Sequence, residues 1–307
     1  MKVLGIDTSN YTTSLAVVDG AAHRQAREIL TVEGNECGLR QSNALFLHVK
    51  NLPRLMAELS PGVVDAVAYS SRPRAVEGSY MPCFLAGQSV AGSIAATLGV
   101  PLYAFSHQAG HIEAAVRTCG NFDFDTFLAY HLSGGTTELL LVRRDEDEGY
   151  LCDIIGKTRD ISAGQLIDRI GVRLGIGFPC GAGLESAALT FDGKVARPKI
   201  CTDGADCNLS GAENMIGRMI DDGVPCAEVA RFTLEFVSRT VAATVSAART
   251  SYPSLPVLFV GGVMRNSIIR SEIASCFDSV YFAEAELSRD NAVGTAYLGY
   301  KKLMKGI

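Results

Sequence analysis

The chain carries no tryptophan, only five histidines, and no unbroken apolar run approaching the roughly 18 residues that a spanning helix needs. No membrane-spanning helix is therefore expected. The amino terminus runs straight into Lys2-Val3-Leu4-Gly5-Ile6 without the basic-then-apolar pattern of a signal peptide, so the expected location is cytoplasmic. Nine cysteines (37, 83, 119, 152, 180, 201, 207, 226 and 276) are scattered, form no Cys-x-x-Cys knuckle and are odd in number, which argues against a disulfide framework. They read as reduced packing residues, with Cys201 and Cys207, which flank a polar loop, as the one pair to watch. Basic residues are in short supply as well: 28 Lys and Arg against 33 Asp and Glu give a net charge of −5. That balance argues against a dedicated nucleic-acid surface, which normally shows a basic stripe, so a nucleic-acid substrate would need a second protein to help hold it.

What is present points to an α/β chain. At 307 residues, with 48% apolar content and 31 glycines, the sequence has room for two ordinary domains with many strand-to-helix turns. The most telling stretch is Ser106-His107-Gln108-Ala109-Gly110-His111, where a short apolar strand, Val100 to Phe105, meets a helix through Val116. Residues four apart share a helix face, so His107 and His111 can each offer a ring nitrogen to one metal ion. The plainer alternative is that one histidine caps the helix and the other packs on the sheet.

Two hairpins frame this stretch. Strands at Val3–Ile6 and Ser14–Val18 flank Asp7-Thr8-Ser9-Asn10-Tyr11-Thr12-Thr13, a turn crowded with hydroxyls. Strands at Phe127–Leu132 and Thr137–Val142 flank Ser133-Gly134-Gly135-Thr136, whose glycines let backbone N–H groups approach an anion. Two such hairpins suggest an internal duplication. This arrangement resembles the duplicated two-domain actin-like, sugar-kinase and heat-shock ATPase fold, which implies a nucleotide cleft between domains, with Asp7 and Ser9 near metal and phosphate. The expected first domain is 1–105, completed by a carboxy-terminal helix at 291–307, and the second is 106–290.

Between the hairpins lie a helix around Asn43–Leu59 that Pro53 should kink or split, a strand at Val63–Tyr69 and a helix at Met81–Thr97. Beyond the second hairpin, Ala163–Gly175 shows helical periodicity and ends in a glycine-rich loop, Ile176–Gly183. Phe191–Ser210 shows little periodicity, a long helix follows at Ala227–Arg249, and a buried strand at Pro256–Val260 leads into Gly261-Gly262-Val263-Met264-Arg265-Asn266. Glycines at a strand-to-helix turn of this kind can admit a nucleotide base or ribose.

Along essentially its full length the chain resembles the family of tRNA threonylcarbamoyl transferases, formerly described as O-sialoglycoprotein endopeptidases. The family's Gly-Ile-Glu-Thr-Ser opening is similar to Gly5-Ile6-Asp7-Thr8-Ser9, and its His-x-x-x-His helix matches His107 and His111. Its Ser-Gly-Gly turn matches Ser133-Gly134-Gly135, and its Ala-Gly-Glu-Ala-x-Asp helix looks like Ala163 to Asp168. Its Pro-Gly-Gly loop resembles Pro179-Cys180-Gly181, while Gly261–Asn266 and Asp290-Asn291-Ala292 match two further motifs. The resemblance implies that His107, His111 and Asp290 hold a divalent metal, iron or zinc, with magnesium as a further option. It implies that Ser133, Gly134, Gly135 and Asp168 serve the reaction. Asp7, Ser9, Thr136, Gly181, Gly261, Gly262 and Asn266 would then line the site for an ATP- or AMP-type nucleotide or threonylcarbamoyl-adenylate.

The departures cluster away from the metal set. Thr136 stands where the family has histidine, Gln165 replaces the helix glutamate, and Cys180 replaces a loop glycine. Tyr11 and Thr12 replace an acidic pair, and Ser210-Gly211-Ala212-Glu213 reverses the charge of a Ser-Gly-Leu-Lys segment. The leading expectation is an enzyme that transfers threonylcarbamoyl to the N6 amino group of the tRNA adenosine next to the anticodon. Its partners would be tRNA, held with helper proteins, and a homologous actin-like subunit or a second copy, with no membrane. The rivals are a paralogue that carbamoylates another acceptor and a non-catalytic nucleotide-binding partner of the active transferase. A peptidase ranks last, because no His-Glu-x-x-His helix is present.

Overall fold

The structure is a computed structural model in which residues 1–9, 11–30, 40–284 and 292–306 are described. Contacts divide the chain into two compact units. The first comprises Met1–Asp123, Arg143–Cys152 and the carboxy-terminal stretch; the second comprises Phe124–Val142 and Asp153–Ala285.

The first unit is built on a five-stranded sheet in the order β3-β2-β1-β4-β5, from β1 (Lys2–Asp7), β2 (Thr12–Asp19), β3 (Ala22–Ile29), β4 (Ala66–Arg72) and β5 (Leu102–Ser106). β1 pairs antiparallel with β2 and parallel with β4, which runs parallel to β5. The central strands are buried almost throughout, as sequences such as Val3-Leu4-Gly5-Ile6 require. β3 escapes a sequence reading because Ala22-His23-Arg24-Gln25-Ala26-Arg27-Glu28-Ile29 is a charged edge strand. Helices α1 (Gln41–Leu59), α2 (Phe84–Leu98) and α3 (His107–Thr118) belong to this unit, as does α9 (Val293–Lys305).

Pro53 does not split α1, which runs unbroken from Gln41 to Leu59. It lies on the exposed face, where the carbonyl it leaves without a donor can turn to water. The domain boundary expected at 105 also differs from this division. α3 groups with the first unit because it packs against α9, and the approach is close enough that a Cβ at Gly294 would lie 1.8 Å from the Gly110 carbonyl oxygen.

The second unit repeats the plan. Its sheet runs β12-β11-β6-β7-β8, from β6 (Thr126–Leu132), β7 (Thr137–Asp145), β8 (Gly149–Lys157), β11 (Val257–Val260) and β12 (Val280–Phe282). Read as first, second and third strands followed by the two parallel additions, the order matches that of the first sheet, so the duplication is present in the topology. Helices α4 (Ala163–Arg173), α5 (Gly181–Leu189), α6 (Ser210–Asp221), α7 (Cys226–Ser251) and α8 (Ser267–Cys276) complete it. α7 supplies much of the core, burying Phe232, Leu234, Phe236, Val237 and Val241, at about 1.5–3 kcal/mol for each large apolar side chain. The aperiodic 191–210 segment contains a small hairpin, β9 (Cys201–Asp203) with β10 (Asp206–Asn208), tied down where Asp160 accepts hydrogen bonds from Leu209 N, Ser210 N and Ser210 Oγ. These donors outweigh the upward push of burial and hold the Asp160 carboxyl down at about 2. Cys201 and Cys207 are both free thiols.

A buried polar group in the first unit sets an acid limit on stability. His48 on α1 is fully buried, and its Nδ1 lies 2.8 Å from Thr13 Oγ1, which also accepts from Asn51 Nδ2 at 3.4 Å. Burial pulls the His48 pKa down to about 4, only partly opposed by Asp7 and the Ser9 backbone. Between about 4 and the ordinary 6.5 the unfolded chain binds the extra proton, so stability is complete above 6.5 and falls as pH drops through that window. We expect urea unfolding of the wild type to lose about 2 kcal/mol between pH 7 and pH 5 from this group, and the loss to be largely absent in His48→Gln.

Candidate functional site

In the first unit three parallel strands deliver side chains to one place. β1, β4 and β5 are adjacent, so Asp7, Ser70 and the Ser106-His107 step all sit at or near their carboxyl ends, with a register shift between Ser70 and Arg72. Ser106 caps α3 by accepting the Ala109 N–H, and the helix begins at His107. Asp7 is 1% exposed and fully engaged: Oδ1 accepts the Ser9 N–H at 2.9 Å, while Oδ2 lies 2.6 Å from Ser70 Oγ and 2.7 Å from His107 Nδ1. Burial alone would push its carboxyl up; His107 and the three hydrogen bonds outweigh it and hold the group well below the ordinary carboxylate range. Ser70 Oγ in turn lies 3.1 Å from Thr295 Oγ1 on α9.

On the other side of the ring, His107 Nε2 lies 2.9 Å from His111 Nε2. The i, i+4 spacing has brought two ring nitrogens together, and their convergence fits a pair of ligands for one small cation. Asp290, the expected third ligand, lies outside the described residues. Among the described residues no group of three or more His, Cys, Asp or Glu gathers as a metal set, in keeping with Asp7 being turned to the back of His107. Gly110, between the histidines, is required by α9: a Cβ there would lie 2.6 Å from Thr295 Oγ1. Two residues past His111, buried Glu113 accepts from Tyr150 OH at 3.0 Å and from Lys301 Nζ at 2.5 Å, anchoring the helix on its far side.

Little of the hydroxyl-rich first turn remains uncommitted. Thr8 Oγ1 donates to Cys83 O and accepts the Gly87 N–H, so it docks α2 on the turn. Ser9 Oγ, buried with no hydrogen-bond partner among the described residues, is the exception.

The second unit assembles the other candidates at the carboxyl ends of β6 and β11. Ser133 N donates to Thr136 O and Thr136 N to Ser133 Oγ, closing the Ser133–Thr136 turn and leaving Gly134 and Gly135 exposed at its tip. α4 is clamped beneath it. Ser162 and Gln165 form a reciprocal capping box, and Ser162 Oγ also donates to Gly134 O at 2.7 Å. Thus Gln165 does at the helix start what a glutamate would do. The Ser-x-x-Gln spacing could have been read from sequence, but the link from Ser162 to the turn could not.

Asp168, one turn further along α4, accepts the Cys180 N–H through Oδ1. Cys180 is fully buried, and burial, with Asp168 close by, pushes its thiol up. Its side chain fits because position 171 is glycine; a Cβ there would lie 2.2 Å from Cys180 Cβ. Gly261 has φ 100° and sits so close to β6 that a Cβ would lie 2.2 Å from Leu132 O, whereas Gly262 and Gly181 border open space. Asn266 caps α8 by accepting the Ile269 N–H. The charge reversal at Glu213 is met by Arg169, 2.8 Å away.

Glycines around this turn should not respond alike. A Cβ at Gly164 would lie 2.5 Å from Ser133 O and 2.6 Å from Gly134 Cα, while Gly134 and Gly135 border open space. Gly164→Ala should cost about 1–3 kcal/mol in urea unfolding by forcing α4 off the turn, and Gly134→Ala or Gly135→Ala less than about 1 kcal/mol. Equal losses in all three would contradict the packing described.

Comparison with known proteins places the fold and the family. Among solved structures, the activator of 2-hydroxyisocaproyl-CoA dehydratase from Clostridium difficile aligns over 100% of this chain and 98% of its own with a TM-score of 0.56 and 14% identity. HypF from T. kodakarensis aligns over 99% of this chain and 48% of its own at 0.62 and 13%, and a ROK hexokinase from Thermus thermophilus over 99% and 100% at 0.52 and 15%. These likenesses show the duplicated actin-like and sugar-kinase fold. Residues 48–297 match the family model described as tRNA N6-adenosine threonylcarbamoyltransferase. Proteins of that name from Sulfurihydrogenibium sp. (strain YO3AOP1) and Kosmotoga olearia are 32% and 30% identical, covering all of this chain and 92% and 95% of the relatives. With its histidine pair, its Ser-Gly-Gly turn and this full-length similarity, the chain belongs to the tRNA N6-adenosine threonylcarbamoyltransferase family, a family of transferases.

Proposed function

We propose that this protein transfers a threonylcarbamoyl group from threonylcarbamoyl-adenylate to the N6 amino group of the tRNA adenosine next to the anticodon, in a metal-dependent reaction. The observation that carries the reading is the meeting of His107 Nε2 and His111 Nε2 at 2.9 Å on a chain of this family. Asp290 is assigned as the third ligand from the Asp-Asn-Ala match. Bound iron or zinc would supply a Lewis acid that stabilises negative charge on a phosphate or carbonyl oxygen. His107 and His111 would each give Nε2, so any proton shared along that contact must leave it first.

The Ser133–Thr136 turn takes the adenylate at its exposed tip, where the backbone N–H groups of Gly134 and Gly135 would stabilise negative charge. Asp168 keeps Oδ2 for a ribose hydroxyl or the threonine moiety, because the Cys180 N–H binds only Oδ1. Gly181, Gly261, Gly262 and Asn266 border the adenosine, and Ser9 Oγ, buried with no hydrogen-bond partner among the described residues, supplies a hydroxyl from the first turn. The adenine N6 attacks the carbamoyl carbon, its proton is lost, and AMP departs with the electrons of the carbon–oxygen bond.

An acceptor other than tRNA is the second reading, favoured by Glu213, which places a negative charge where the family carries a positive one. A transfer assay separates the two. Labelled threonine supplied as threonylcarbamoyl-adenylate should enter unmodified tRNA, and His107→Ala with His111→Ala should reduce the rate at least about 100-fold. Acyl transfer to other amines without transfer to tRNA would favour the second reading.

Charge and surface also argue for company. α1 and α2 border an apolar groove of about 500 Å³ lined by Leu45, Val49, Met56, Leu85 and Val90, and we assign it to a homologous actin-like subunit or a second copy. With a net charge of −5, the isolated chain should bind tRNA weakly at physiological salt. Submicromolar affinity of the chain alone would contradict this arrangement.

A further inference from the structure

We infer that Asp7 is a positioning residue that acts through His107, by fixing which of its ring nitrogens carries the proton, rather than a ligand to metal or nucleotide itself. The inference extends the reading of His107 and His111 as metal ligands, and it follows from counting donors. An ionised carboxylate only accepts. Asp7 Oδ1 takes the Ser9 N–H, and Oδ2 takes both the Ser70 hydroxyl and His107 Nδ1. Ser70 has one proton and spends it on Asp7, so Thr295 must donate to Ser70 across their 3.1 Å contact. His107 must likewise carry its proton on Nδ1. In the neutral ring Nε2 is then bare, and it is the nitrogen facing His111. The direction of every hydrogen bond from Thr295 through Ser70 and Asp7 to His107 is thus set by one buried charge, and its outcome is a lone pair presented where a cation would be held. A carboxylate behind a ligating imidazole fixes the tautomer and raises ligand basicity.

Position 7 is aspartate where the family opens with glutamate, and the shorter side chain is 1% exposed, with neither oxygen turned to a ligand. Asparagine at this position reverses the logic. Its amide group must face either the Ser9 N–H, donor against donor, or His107 Nδ1, where it would drive the ring proton to Nε2 and cover the lone pair.

Two measurements on the full chain decide the matter. The first is the tautomer of neutral His107 in metal-free protein at pH 8, read from long-range ¹⁵N–¹H correlations. Protonated Nδ1 is expected in the wild type and protonated Nε2 in Asp7→Asn; a wild-type ring protonated at Nε2 overturns the inference even if the variant does not fold. The second is competition for Zn²⁺ against a chromophoric chelator. Asp7→Asn and Asp7→Ala should each lose about 10–100-fold in affinity, and affinity unchanged within about threefold in both would overturn the inference. Wild-type protein that takes up no Zn²⁺ would count against the metal reading of the histidines, while the tautomer would still decide the role of Asp7.

Discussion

The crossing of α3 and α9 is the constraint on which the first unit's site depends. Gly110 and Gly294 meet backbone to backbone, because any Cβ at either position would collide with the other helix. That approach brings Thr295 into hydrogen-bonding reach of Ser70 and so reaches Asp7 and His107. The same helix packs on the sheet at Gly5, where a Cβ would lie 2.6 Å from the Ala292 carbonyl oxygen. Glycine at these positions serves proximity rather than flexibility.

A second theme is that polar groups near the two strand-end turns are spent on structure before they are offered to a ligand. Thr8 docks α2, Thr13 binds His48 through Nδ1, Ser162 joins α4 to the Ser133–Thr136 turn, and Asp160 ties down the small hairpin. Such networks stabilise only when every member is paired, since an unpaired buried group costs about 1–3 kcal/mol. Among the described residues the Ser9 hydroxyl and His48 Nε2 are buried without a partner, and the backbone at Gly134 and Gly135 is exposed.

Much of this arrangement was legible in the residues. The two hairpins, the helix opening at His107, the amphipathic α4 and the buried strand before Gly261 all announce themselves through local pattern. β3 and β8 did not, because charged and polar residues such as Arg24, Arg27, Asp153 and Lys157 interrupt their apolar pattern. The Asp7 network was beyond reach for a different reason: Ser70 and Thr295 are 225 residues apart, and nothing local to either marks the other. Sequence pattern marked Asp7 as a site residue, and the folded strands show what it touches, Ser70 and His107.

The neighbours Gly171 and Cys180 carry a consequence for how this sequence can change over evolutionary time. With glycine at 180, as in the family's usual loop, position 171 has no opposing Cβ and tolerance there depends on the rest of the packing. Once Cys180 is in place, a side chain at 171 would put two β-carbons 2.2 Å apart. The loop substitution therefore couples the two sites: while Cys180 is in place position 171 is confined to glycine, so the order in which the two sites mutate decides which sequences remain reachable.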